Sequence, residues 1–138
     1  MAKSICPYCA VGCAQLVYVK DGDVIQIEGD PASPISRGRL CPKGAASKNM
    51  HEGPLREYRV KYRPPHGTRW EELPLEQAMD MIADRIIEAR ESDWDARNRR
   101  TMAFANLGGA TLDNEENYLI KKLMMGLGAV QVENQARI

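Results

Sequence analysis

Cys6, Cys9 and Cys13 form a C-x2-C-x3-C run at the start of the sequence, and a fourth cysteine stands far downstream in Cys41-Pro42-Lys43-Gly44. This spacing constrains the fold more than any other feature, because three thiols on one short loop gain their fourth only if the chain returns to them. Four thiolates suit an iron–sulfur cluster, a structural zinc or two disulfides. Zinc ribbons usually offer two C-x2-C pairs, each clasping one edge of a tetrahedron, whereas here the second half contributes Cys41 alone. A three-plus-one division favours a cubane [4Fe–4S] cluster, in which each iron corner takes one thiolate. Disulfides are the weakest of the three readings. Cys6 follows Met1 too closely for a secretory leader, so the chain is expected to be cytoplasmic, where structural disulfides are uncommon.

The stretch between the cysteines predicts a hairpin over 14–29. Gln15-Leu16-Val17-Tyr18-Val19-Lys20 and Val24-Ile25-Gln26-Ile27-Glu28 flank Asp21-Gly22, a dipeptide that supplies the positive φ angles of a tight turn. Such a ribbon returns the chain toward its start and so toward Cys13. Residues 29–44 are rich in turn formers and shape the far wall of the cysteine site. A basic connector with prolines follows, from Arg56 to Pro65, where Arg56, Arg59, Lys61 and Arg63 read as a solvated linker. Helical spacing of Leu75, Ala78, Met79, Ile82, Ala83 and Ile86 predicts a helix from Pro74 to about Glu91. Thr101-Met102-Ala103-Phe104-Ala105 reads as a short buried strand and Leu107-Gly108-Gly109 as a turn. A second helix is expected from Asp113, with Glu116 closing a capping box, to Leu127 with Gly128 as its stop, followed by a strand at Ala129-Val130-Gln131-Val132. Strand, turn, helix and strand make a βαβ unit, whose parallel sheet needs further strands and cover on both faces.

The remaining features exclude more than they assign. Nineteen basic against nineteen acidic side chains in 138 residues give no net charge, which argues against a general nucleic-acid surface. No stretch approaches the roughly 18 apolar residues of a membrane helix. Arg97-Asn98-Arg99-Arg100 reads as a solvated loop, and Gly108-Gly109 as a plain turn in preference to a phosphate cradle. Glu71-Glu72 and Glu115-Glu116 read as acids at helix starts, and no acid/base dyad is evident.

Three segments together resemble the opening of the molybdopterin oxidoreductases: Ile5 to Cys13, Ile27-Glu28-Gly29-Asp30-Pro31, and Gly38-Arg39-Leu40-Cys41-Pro42-Lys43-Gly44. Asn114-Glu115-Glu116 and the final Val132-Glu133-Asn134-Gln135-Ala136-Arg137-Ile138 are similar to the formate dehydrogenase branch, with nitrate reductases the nearest alternative. The resemblance implies an α+β chain: a small antiparallel iron–sulfur domain over 1–60, then over 61–138 the beginning of an α/β domain for a molybdopterin cofactor. It implies that Cys6, Cys9, Cys13 and Cys41 bind one [4Fe–4S] cluster. Lys43 would relay electrons between that cluster and a bis-molybdopterin guanine dinucleotide carrying molybdenum or tungsten. Formate and CO2 are the implied substrates, and the partners are electron-transfer subunits or an external acceptor. By the same likeness the metal ligand, cysteine or selenocysteine, would directly follow Ile138, so a UGA codon is expected there and the 138 residues alone are expected to be inactive. Outside this family, a cluster-bearing electron-transfer module or a zinc-stabilised interaction domain remain as alternatives.

Overall fold

The computed structural model describes residues 1–135; Ala136, Arg137 and Ile138 of the carboxyl-terminal motif lie outside the described residues. Three strands open the chain. β1 (Ala2–Ile5) pairs antiparallel with β2 (Ala14–Lys20), which pairs on its other side with β3 (Asp23–Gly29). Lys20 faces Asp23, so Asp21 and Gly22 alone make the turn, with φ of 55° and 96° as a primed hairpin turn requires. The expected hairpin is therefore present. The strand before it was not legible, because Ala2-Lys3-Ser4-Ile5 lacks the β-branched run that marks strands, and it forms by pairing with β2.

β3 ends opposite Gln15, which delivers the chain back to the base of the cysteine loop. There the backbone of residue 38 crosses over Gly29 so closely that an added Cβ would stand 2.3 Å from the Gly38 carbonyl oxygen. Only glycine permits that crossing. Asp30 then pins the loop that leads to Cys41. Its N–H donates to the Ala14 carbonyl at 3.0 Å, its carbonyl accepts from Ser33 and Gly38, its Oδ1 accepts from the Ala32 N–H at 2.8 Å, and its Oδ2 pairs with Lys3 Nζ at 2.9 Å. Lys3 foremost, and then the Ala32 amide, hold this carboxyl below the usual aspartate range.

Two short helices follow, α1 (Pro42–Ala45) and α2 (Ser47–Glu52). The connector expected from Arg56 to Pro65 is no simple linker, for β4 (Val60–Tyr62) pairs antiparallel with β5 (Glu71–Leu73). Lys61 stands directly opposite Glu72, Nζ to Oε1 at 2.8 Å, so the charges that suggested a solvated tether hold a strand pair together. Glu71 and Glu72 are consequently strand residues and mark no helix start. α3 (Leu75–Ser92) begins after Pro74, close to its expected bounds.

The βαβ unit is present with altered edges. β6 (Asn106–Leu107) pairs in parallel with β7 (Val132–Glu133), and α4 (Asn114–Leu127) connects them. The Asp113–Glu116 capping box closes in both directions, and Gly128 ends the helix in the left-handed conformation. The strand expected at Thr101–Ala105 shrinks to one bridge, Thr101 to Ala129, and the ladder resumes at Asn106. Side-chain oxygens take the amides in between: Asp93 Oδ2 accepts from the Met102 N–H at 2.6 Å and Thr101 Oγ1 from the Ala103 N–H at 3.1 Å. Leu107, expected in the turn, is a strand residue, and the Gly108 N–H extends the ladder to the Glu133 carbonyl at 2.8 Å. Arg90 joins the ends of the two long helices, its Nε donating to the Leu127 carbonyl while its guanidinium lies 3.7 Å from the centre of the Trp94 ring.

Two consequences are testable. Gly29→Ala should lower stability by about 1–3 kcal/mol or more, since backbone must move to admit the methyl; a denaturation midpoint equal to the parent's contradicts the crossing. Asp30→Asn should destabilise at neutral pH. A depressed carboxyl contributes stability above its unfolded value of about 3.9 and loses it as pH falls through the folded value, so the difference from the parent should narrow in acid. Urea midpoints compared across that range check the sign, and a difference that widens in acid contradicts it.

Candidate metal centre

The three-cysteine run is the loop of the β1–β2 hairpin. Ile5 pairs with Ala14 and the Cys6 N–H donates to the Cys13 carbonyl at 2.8 Å, which closes the loop at its neck. A second bond, Gly12 N–H to the Cys9 carbonyl, tightens it within. Cys6 is buried, Cys9 and Cys13 are half-buried, and none of the four cysteines is in a disulfide. The pairwise-disulfide reading therefore does not describe this fold.

Cys41 arrives from the opposite side, as the residue that caps α1, with Pro42 in the first turn. The approach is close, since a Cβ built on Gly44 would stand 3.4 Å from Cys6 Sγ. Electrostatics register the convergence. Burial foremost, and then the charges of Cys6, Cys9 and Cys41, push the Cys13 thiol above its ordinary value, so all three partners lie within electrostatic reach of it. Cys41 is shifted the other way. No helix amide makes a hydrogen bond of standard geometry to its sulfur, but the Gly44 N–H, and after it the Lys43 N–H and ammonium, face the thiol and lower its pKa.

Four thiols, with no other donor among the candidate ligands, suit an iron–sulfur core. Among the described residues, no three Cys, His, Asp or Glu side chains close to the spacing that grips a single metal. A zinc ion needs four ligands within about 2.3 Å of one point, whereas a four-iron cube spreads its thiolates over separate corners. A cationic core also relieves the crowding that raises the Cys13 pKa. Lys43 is exposed on α1, two residues after Cys41.

Other candidates are not assembled. Gly108 already donates to Glu133, and Gly109 accepts from Asn134 Nδ2 at 3.2 Å. Both glycines thus spend backbone groups on β7 and Asn134, in keeping with the plain-turn reading. Three contributing side chains escaped the sequence. Gln15, 2% exposed, and Ser47, 3% exposed, hydrogen-bond at the back of α1; the only signal was a glutamine in a strand otherwise rich in apolar residues. Asn114 Nδ2 donates to the Ala10 carbonyl at 2.8 Å and so ties α4 to the cysteine loop, a contact across 104 positions that no local pattern could announce.

Comparison with known proteins accords with this geometry. Residues 1–51 match the family model described as the molybdopterin oxidoreductase Fe4S4 domain. Formate dehydrogenase 2 subunit alpha (cytochrome c-553) of Nitratidesulfovibrio vulgaris is 36% identical over 98% of this chain and 14% of its own length. Formate dehydrogenase subunit alpha of Megalodesulfovibrio gigas gives the same three figures, and nitrate reductases match at 30% identity. The chain thus spans 14% of the length of each of these two formate dehydrogenase relatives. Among solved structures, the acetylene hydratase of Pelobacter acetylenicus matches with a TM-score of 0.67 over 96% of this chain and 18% of its own, at 18% identity, a likeness of fold alone. No helix among the described residues is long and apolar enough to cross a membrane. The chain belongs to the molybdopterin oxidoreductase family, with that family's Fe4S4 domain at residues 1–51.

Proposed function

We propose that this chain is the cluster-bearing portion of a formate dehydrogenase catalytic subunit, divided into a cluster unit at 1–60 and the beginning of a molybdopterin-binding unit at 61–138. The observation that carries this reading is the pair of formate dehydrogenase alpha subunits at 36% identity over 98% of the chain, and the close approach of Gly44, three residues after Cys41, to Cys6 Sγ supports it. Cys6, Cys9, Cys13 and Cys41 are the four ligands. A [4Fe–4S] cluster supplies single-electron storage at this point when bound. The loop neck at Cys6–Cys13 holds three thiolates in place, and α1 presents the fourth with the Gly44 and Lys43 N–H groups facing its sulfur.

Lys43 has the second role. Its ammonium acts on Cys41 electrostatically, so it sits where positive charge favours an arriving electron. As a donor of up to three hydrogen bonds it suits the polar edge of a pterin, and in the complete enzyme it is the link to the bis-molybdopterin guanine dinucleotide with molybdenum or tungsten. Formate is the substrate of that complete enzyme, CO2 the product, and electron-transfer subunits or an external acceptor receive the electrons.

Anaerobic reconstitution of the chain with iron and sulfide should give a brown protein with about four irons, while Cys41→Ser should retain markedly less iron. A colourless product that keeps one zinc overturns the cluster assignment. In the complete enzyme, formate should reduce an artificial dye, and Lys43→Met should slow that reduction by about tenfold or more, an added barrier of roughly 1.4 kcal/mol, with metal and pterin contents unchanged. Equal turnover removes the relay role. Nitrate reduction without formate oxidation would instead select the nitrate reductase branch.

A further inference from the structure

A polar triangle lies buried behind the fourth cysteine. Gln15 Nε2 donates to the Gly44 carbonyl and to Ser47 Oγ, both at 3.0 Å, and Ser47 Oγ donates to the same carbonyl at 2.8 Å. Gln15 and Ser47 are almost fully buried and Gly44 is buried between them. Gln15 lies two residues after Cys13 on β2, and Gly44 three residues after Cys41 on α1. The triangle therefore joins the strand leaving the three-cysteine loop to the turn bearing the fourth cysteine. Buried polar groups of this kind act together, because loss of one donor leaves the others unsatisfied in a poorly hydrated site.

α1 needs such a tether. A helix of four residues has barely begun the hydrogen bonding that offsets nucleation, so it takes its orientation from what it packs against. Its position matters, because Gly44 lies against the three-cysteine loop, where a Cβ built on it would stand 3.4 Å from Cys6 Sγ. The Gly44 carbonyl is the acceptor at which both Gln15 and Ser47 converge.

We propose that Gln15 is a positioning residue for the cluster: by clamping the Gly44 carbonyl it fixes the spacing between α1, which carries Cys41 at its start, and the three-cysteine loop. The inference rests on the reading of the four cysteines as cluster ligands. The surroundings and solvent access of a cluster's ligands set its reduction potential, so a released α1 moves that potential away from the parent's. Ser47 acts through the same carbonyl.

Gln15→Leu, which keeps bulk and removes both donors, and Ser47→Ala test the clamp in the full chain, with Ser47→Thr as the variant that restores a hydroxyl. After reconstitution, EPR-monitored titration should place the potentials of the Gln15→Leu and Ser47→Ala proteins away from the parent's with altered line shape, and return Ser47→Thr toward the parent. A parent potential and line shape in both of the first two variants overturn the proposal. Should Gln15→Leu bind no iron, the Ser47 pair still decides. Amide hydrogen exchange on the metal-free chain gives an independent readout: residues 42–47 should exchange about tenfold faster or more in Gln15→Leu while the β2–β3 hairpin keeps its protection. Unchanged exchange at 42–47 contradicts the clamp. A parent chain that takes up no iron, with the exchange difference present, would reject the cluster reading and leave the clamp standing.

Discussion

Four thiols gathered into one corner repel one another as they ionise, and that repulsion sets what the surrounding fold must supply. Cys13 registers it, with a pKa raised by burial and by the charge of its three neighbours, while Cys41 is eased by the amides and ammonium at the start of α1. Holding such a group together without metal falls to the backbone. The neck bond between Cys6 and Cys13, the passage of residue 38 over Gly29 and the ladder of bonds to Asp30 each fix the path by which the two halves of the site meet. A cationic inorganic core would convert a repulsive arrangement into a bound one, and on the proposed reading folding and metal uptake are coupled.

The apolar part of the structure is correspondingly slight. Among the described residues, only Cys6, Ala78 and Ala129 are buried apolar side chains, while Leu75, Met79 and Ile82 of α3 and Leu119 and Leu123 of α4 are each more than half exposed. The order in residues 1–50 thus comes from strand pairing and turn geometry more than from side-chain packing. In the second half, specific ties do the equivalent work: Arg90 between the ends of α3 and α4, the capping box on α4, and Asn114 on the cysteine loop. Parallel strands bury both faces in folded α/β proteins, and the exposed faces of α3 and α4 are the surfaces such cover would use.

Legibility in the sequence followed the range of the interaction. The Asp21-Gly22 hairpin, the Asp113–Glu116 box and the Gly128 stop are encoded within a few residues, and each stands where the pattern placed it. What escaped depends on distant partners: β1 exists through β2, the β4–β5 pair through Lys61 and Glu72, and the shortened strand at Thr101 through Asp93, whose side chain intercepts an amide the ladder would have used. Gln15 is the clearest case. In a strand it reads as an ordinary polar position, and only the fold shows it buried against α1.

X-ray absorption at the iron edge of the loaded chain tests the centre most directly. Thiolates from Cys6, Cys9, Cys13 and Cys41 around a four-iron core predict sulfur as the sole nearest neighbour of iron, with other iron atoms just beyond. Nitrogen or oxygen neighbours, or iron with no iron near it, would contradict a shared cluster at these four residues.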